Sequence, residues 1–208
     1  MITIIISGPS ASGKSLLTNK LLDIFEDSIV LKTDSYYRDN IFIRFLSLFM
    51  FDIYDRPLSI NKNELNKTLN SIYNKESFIT FFYYDFKKKR SSKAKNRINY
   101  KGDNQFLILE GIFSHRLDLN YQETINIICE EEKEICFKRR LKRDQLERGR
   151  NIREVKKKFN ESWYLFYLNI KNYLNNNNVK TINPSDKISF DKLVFILQNI
   201  KKVTKKNN

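Results

Sequence analysis

Residues 2 to 6 form an unbroken β-branched run, Ile-Thr-Ile-Ile-Ile, which predicts a strand buried on both faces. A loop from Gly8 to Ser15 follows, and then Leu16, Leu17, Leu21, Leu22 and Phe25 fall at helical spacing. The chain therefore opens strand, loop, helix. A second apolar run, Ile29 to Leu31, passes through Lys32 into Thr33-Asp34-Ser35. That puts Asp34 at the C-terminal tip of a parallel strand, the edge where open α/β sheets bind ligands.

The segment from Asn40 to Asn61 is aromatic-rich and broken by Pro57, and Leu65, Leu69 and Ile72 give residues 63 to 74 an amphipathic helical pattern. Both read as an excursion over the sheet edge. Phe78 to Phe86 favours a strand, with Ile98 to Tyr100 as its expected hairpin partner across a basic turn from Lys87 to Arg97. Further strands are expected at Gln105 to Leu109, ending in Glu110-Gly111, at Ile125 to Cys129 and at Val179 to Ile182. Helices are expected over Glu131 to Arg150, Ile152 to Leu174 and Phe190 to Ile200. The alternation of strands and helices predicts one α/β domain over residues 1 to 200, with a mostly parallel sheet, a hairpin excursion at about 78–101, a helical lid at about 139–153 and a frayed basic tail at 201–208.

With 41% hydrophobic and 30% charged residues in 208, composition is that of one ordinary globular domain. No apolar run approaches the roughly 18 residues of a membrane span. The N-terminus carries no secretory leader pattern, and Cys129 and Cys136 match no zinc or CxxC spacing, so reduced thiols in a cytoplasmic protein are expected. The net charge of +14 invites a polyanion. Yet 26 Lys to 12 Arg, with 24 Asn and 25 Ile, is the bias of A- and T-rich codons. Arginine is the more informative residue here, and Arg139, Arg140, Arg143, Arg148 and Arg150 crowd into twelve positions.

Gly8-Pro9-Ser10-Ala11-Ser12-Gly13-Lys14-Ser15 fits GxxxxGK[ST], the P-loop, whose backbone N–H groups and helix N-terminus cradle phosphates while the lysine neutralises them. Ser15 is placed to offer its hydroxyl to Mg²⁺. The flanking strand and helix are the context the motif requires. Asp34 can take the proton of an attacking hydroxyl. Glu110, at the end of another strand, can hold Mg²⁺ through water as a Walker-B-type acid. On one helix, Arg143 shares a face with Arg140 or Arg139, and Arg148-Gly149-Arg150 ends it. Guanidiniums over a transferring phosphoryl group stabilise its charge while a lid excludes water. Asp144 and Glu147 also allow a purely salt-bridged helix.

Six segments occur in the order found in the uridine and cytidine kinase group of the phosphoribulokinase and uridine kinase family, which the chain resembles over most of its length. They are GPSASGKS, TDSYYRD at 33–39, FDIYDRP at 51–57, YYDF at 83–86, LILEGIF at 107–113 and RRLKRDQLERGR at 139–150. The resemblance implies a three-layer P-loop α/β sandwich, commonly a homotetramer, that phosphorylates the 5′-hydroxyl of uridine or cytidine from ATP or GTP with Mg²⁺. It makes Asp34 the base, sets Tyr37 beside the nucleoside, Asp52 on the ribose hydroxyls and Tyr84 in the base pocket, and makes Arg140, Arg143, Arg148 and Arg150 the lid and substrate arginines. Three positions depart from the family pattern: Lys89 stands where a histidine meets the pyrimidine, Lys158 where a glutamine follows the RGR motif, and Asn169-Ile170-Lys171-Asn172 where proline-threonine-lysine-lysine is usual. A lysine donates to a carbonyl but accepts nothing, which suits uracil O4 over the cytosine amino group.

Taken alone, the residues leave two other readings: a kinase of the same family acting on another small alcohol such as a sugar phosphate, and a non-catalytic nucleotide-dependent nucleic-acid binder. The second is disfavoured because aromatics are not interleaved with the basic run at 87–97, and no specific nucleic-acid or membrane partner is expected. His115 is expected as a satisfied or exposed structural histidine, and Trp163, Tyr164, Phe166 and Tyr167 as core packing.

Overall fold

The computed structural model describes residues 1–38, 45, 57–85, 88, 90–102, 104–117, 124–174 and 179–206. Five parallel strands make the central sheet: β1 (Ile2–Ser7), β2 (Ile29–Lys32), β5 (Phe106–Glu110), β6 (Thr124–Cys129) and β7 (Val179–Ile182), in the spatial order β2-β5-β1-β6-β7. An antiparallel pair, β3 (Phe78–Asp85) with β4 (Arg90–Arg97), stands apart from it. The helices are α1 (Lys14–Ile24), α2 (Lys62–Tyr73), α3 (Lys133–Arg148), α4 (Ile152–Leu174) and α5 (Lys187–Lys206).

The central strands β1 and β5 are buried along their whole length because helices or the hairpin cover both faces. From β1, Ile2, Ile4 and Ile6 pack with Leu17 and Leu21 of α1 and Leu193 and Leu197 of α5. Ile5 points the other way, into a layer holding Leu65 and Leu69 of α2, Ile79 of β3 and Phe166 and Ile170 of α4. Each such side chain, removed fully from water, contributes roughly 1.5–3 kcal/mol, so period 3.6 in the helices and continuous apolar runs in β1 and β5 select this three-layer sandwich. Asn61 caps α2, accepting from the Glu64 N–H at 3.4 Å, and Asn151 caps α4, accepting from the Glu154 N–H at 2.9 Å.

The expected fold class holds, with five corrections. The partner of β3 is Arg90–Arg97 itself, and Ile98 to Tyr100 lies beyond it. The basic segment carries little strand propensity, but it follows β3 by a short link and pairs along all eight residues of the ladder. Pairing also interleaves what the linear order separates: Lys93 Nζ lies 5.4 Å from the Phe82 ring centroid and Lys95 Nζ 5.8 Å from that of Phe78. The expected frayed tail instead continues α5 through Lys206, anchored where Lys201 Nζ donates to both Asp27 oxygens at 2.6 and 2.7 Å.

His115 is buried with neither ring nitrogen hydrogen-bonded, among Phe113, Phe166 and Tyr173. Burial, with Arg116 beside it, pushes its pKa down to about 4, so the ring is neutral. Phe166 is core as expected, whereas Tyr164 is 67% exposed, facing outward from α4. Cys129 and Cys136 are free, buried thiols. No helix among the described residues is long and apolar enough to cross a membrane.

Candidate active site

The strand order puts β1 between β5 and β6, with Ser7, Glu110 and Lys32 ending neighbouring strands at one edge. The loop from Gly8 leaves β1 there and turns into α1. Gly13 (φ 91°) and Ala11 (φ 69°) both adopt the left-handed conformation, costing roughly 1–2 kcal/mol at the alanine. Such turns aim successive backbone N–H groups into one concavity, a nest for anions. A side chain on Gly8 would come within 2.7 Å of the Cys129 carbonyl, so only glycine admits this approach to β6. Lys14 is buried, its Nζ donating to the Gly8 and Pro9 carbonyls at 3.0 Å each.

Two carboxylates come from adjacent strand tips. Ser15 Oγ donates to Glu110 Oε1 at 2.5 Å, while Glu110 Oε2 is buried with no hydrogen-bond partner. Asp34 is the second residue of a short 3-10 turn (Thr33–Tyr36) at the end of β2 and accepts from the Ile112 N–H at 3.1 and 3.3 Å. Gly111 makes their closeness possible: a Cβ there would lie 1.9 Å from Thr33 Oγ1, 2.8 Å from Asp34 Oδ1 and 2.9 Å from Ser114 Oγ. Thr33 Oγ1 donates to the Glu110 carbonyl at 3.2 Å, tying the two tips together.

Across the cleft, α3 and the link to α4 bring the arginines. α3 stops at Gly149, whose φ of 63° is the left-handed helix end that glycine tolerates best. Asp144, with no side-chain exposure, lies 3.7 Å from Arg140, 3.0 Å from Arg143, 3.3 Å from Arg148 and 2.8 Å from Arg150. Burial alone would raise its pKa, but Arg148, Arg143 and Arg140 outweigh that and hold it below the usual carboxylate range. Burial and the like charge of Arg143 push Arg148 down to about 10, which leaves it cationic at neutral pH. Arg143 also donates to Ser10 Oγ at 3.3 Å, linking α3 and the P-loop, and Arg140 donates to Ser162 Oγ of α4 at 2.6 Å.

A cleft of about 680 Å³ joins these groups. Of the residues singled out from sequence, Ser10, Ala11, Gly13, Lys14, Ser15, Asp34, Tyr37, Tyr84, Glu110, Arg140, Arg143, Arg148 and Arg150 line it. Gly8 and Pro9 contribute the carbonyls that hold Lys14 Nζ, and Ser12 is buried within the loop. Tyr37 and Tyr84 meet edge to face, their centroids 5.3 Å apart. Asp52 and Lys89 lie outside the described residues. Arg139 of the arginine window lines it too, and Glu147, anticipated only as an ion-pair partner on the helix; Lys32, Ser35 and Ile112 line the cleft unanticipated, their signal being adjacency to the strand tips. Lys158, noted only as a departure, lines it as well, 3.7 Å from Glu154. Asp144 was anticipated as a partner for these arginines, not as the buried centre of four.

A P-loop beside two strand-tip carboxylates, with an arginine cluster across the cleft, is the arrangement of a P-loop phosphotransferase. The model of the phosphoribulokinase / uridine kinase family matches residues 3–181. A uridine kinase of Histophilus somni (strain 2336) is 30% identical over 161 residues, covering 74% of this chain and 73% of the relative. A possible uridine kinase from Bacillus stearothermophilus is similar in structure, with a TM-score of 0.57 and 14% identity over 86% of this chain and 88% of that one. A candidate fructose transport system kinase from Silicibacter sp. TM1040 has a TM-score of 0.63 and 15% identity over 80% of this chain and 84% of that one. The chain belongs to the phosphoribulokinase / uridine kinase family, and it is a kinase that phosphorylates an alcohol group.

Proposed function

We propose that this kinase transfers the terminal phosphoryl group of ATP or GTP to the 5′-hydroxyl of uridine, with cytidine the weaker acceptor, in pyrimidine salvage. The observation that carries the reading is the pairing of Asp34 with Glu110 beside the P-loop: two carboxylates from adjacent strand tips, held by the close approach at Gly111, with different neighbours. Asp34 accepts a backbone N–H, which fixes the orientation of a carboxylate able to take the proton of the attacking hydroxyl. Glu110 has a buried oxygen with no partner and shares the other with Ser15, a donor set that fits Mg²⁺.

Mg²⁺ keeps most of its water and takes one or two protein oxygens plus phosphates, so a site without a full protein cage suits it. Among the described residues no cluster of three His, Cys, Asp or Glu stands ready for a metal. Ser15 and Glu110 would hold the ion, and its charge would offset that of the phosphate oxygens. Lys14 and the amides of Gly8 to Ser15 bind the triphosphate, with Arg140 over it. Arg143 and Arg148 stabilise the charge spread over the transferring group. Tyr37 and Tyr84 pack the nucleoside, Arg150 approaches it from the lid, and Asp52 and Lys89 act on ribose and base by family resemblance. That resemblance also supports a single kinase domain working as a cytoplasmic homo-oligomer.

The test is ADP release with ATP and Mg²⁺ against uridine, cytidine, a purine nucleoside and ribulose 5-phosphate. Turnover on uridine above the rest is expected. Turnover on the sugar phosphate alone would replace the nucleoside by another family acceptor.

A further inference from the structure

Four guanidiniums gathered in one place repel each other, and the cost rises where burial strips away water. Arg140 and Arg148 are largely buried, with 3% and 16% of their side chains exposed, and Arg150 keeps 21%. Arg143, the most open at 34%, reaches from the cluster to Ser10 of the P-loop. One carboxylate with no exposure lies within ion-pair distance of all four.

Its reach is set by the helix. Arg140 and Arg148 stand one turn before and one turn after Asp144, so they share its face, while Arg143 precedes it directly. Arg150 arrives from beyond the helix end. There the Arg150 N–H donates to the Asp144 backbone carbonyl at 3.2 Å, and Arg150 Nη1 to Asp144 Oδ2 at 2.8 Å. The same side chain thus orients guanidiniums on both sides of the break at Gly149.

We propose that Asp144 is a positioning residue of the phosphoryl-transfer site: it gathers Arg143, Arg148 and Arg150 on the wall of the cleft they share with the P-loop before any phosphate arrives. The proposal rests on the assignment of Arg143 and Arg148 to the transferring phosphoryl group made above; Arg150, placed there toward the nucleoside, is held by the same carboxylate. Its alternative is that Asp144 is only a counter-charge competing with phosphate for the same guanidiniums. The two make opposite predictions for removal of the charge. Simple Coulomb attraction says that losing a carboxylate from this cluster tightens polyanion binding. Preorganisation says that binding weakens, because the arginines spread once nothing gathers them and the ligand must order them itself.

The experiment uses the full chain and inorganic tripolyphosphate, with binding measured by calorimetry at fixed low ionic strength. Asp144→Asn keeps the size of the side chain and removes its charge, and Glu134→Gln removes one exposed charge from the same helix away from the cluster. Asp144→Asn should raise the Kd about tenfold or more, while Glu134→Gln leaves it unchanged or slightly lower. In turnover assays with the acceptor that supports activity, the KM for the triphosphate should rise and kcat fall, with the acceptor KM moved less because only Arg150 of the cluster reaches the acceptor; a merely destabilised fold would not separate the two substrates. If Asp144→Asn does not fold, Asp144→Glu keeps the charge but shifts it by one methylene, and should still weaken tripolyphosphate binding. Equal or tighter binding by the folded variant would overturn the proposal. Because tripolyphosphate binding needs no acceptor, failure of the uridine assignment would leave this result intact and would be seen separately.

Discussion

Gly111→Ala tests the join between the two carboxylate-bearing strand tips. Its φ lies outside the left-handed region, so the backbone accepts alanine and the effect is one of space alone. The new Cβ would sit 1.9 Å from Thr33 Oγ1, where ordinary contact begins near 3.4 Å, so one side must retreat by about 1.5 Å. Thr33 cannot yield cheaply: it is fully buried and bonded to the Glu110 carbonyl and to Ser114 Oγ. Overpacking costs about 1–3 kcal/mol and each hydrogen bond lost about 1 more. A total near 3 kcal/mol lowers the melting temperature of a domain this size by roughly 6–12 °C. A retreat of Thr33 also moves Asp34, and misplacing a catalytic group by about 1 Å costs on the order of 100-fold in kcat. Thermal unfolding and steady-state turnover read the two effects. Adding Thr33→Ala removes the nearest atom and should recover part of the lost stability. A single variant that melts within about 2 °C of wild type and turns over within about twofold would refute the idea that Gly111 spaces the site.

Lys14→Ala should weaken ATP binding by about 10- to 100-fold, the worth of a charge-assisted contact to phosphate, measured by calorimetry. Gly149→Ala meets open space but a φ of 63°, so it should cost about 1 kcal/mol, seen as a melting point lower by roughly 2–4 °C. His115 is held neutral, with its pKa depressed to about 4 from the ordinary 6.5. Its contribution is therefore fully present above about pH 6.5 and is lost as pH falls through about 4, because the unfolded chain takes up the proton first, a swing on the order of 3 kcal/mol. His115→Phe should flatten that part of the stability profile, followed by chemical denaturation between pH 4 and 7; an unchanged slope would show that other groups set it.

The P-loop, the strands that carry Asp34 and Glu110 and the arginine-bearing helix were legible because each depends on local pattern: an apolar run, a glycine spacing, a 3.6-residue period. The contacts that make a site of them were not. Gly111 matters because β2 and β5 are neighbours in the sheet, a relation no local pattern carries. Asp144 could be seen as an ion-pair partner from its spacing, but its lack of exposure appears only where Arg150 folds back from beyond Gly149 to join the three arginines of the helix around it. The second hairpin strand was missed because Arg-Ser-Ser-Lys-Ala-Lys-Asn-Arg has no strand period, and the ladder with β3 decides its conformation. The extension of α5 likewise follows from Lys201 meeting Asp27, 174 residues away.

The most direct test of the central claim is uridine-dependent ADP release by wild type and Asp34→Ala, with ATP affinity measured on the same preparations. The account predicts turnover on uridine in the wild type, lost by at least about 100-fold in Asp34→Ala, and ATP bound equally by both. Turnover that survives the substitution, or a wild type that binds ATP and ignores uridine, would contradict it.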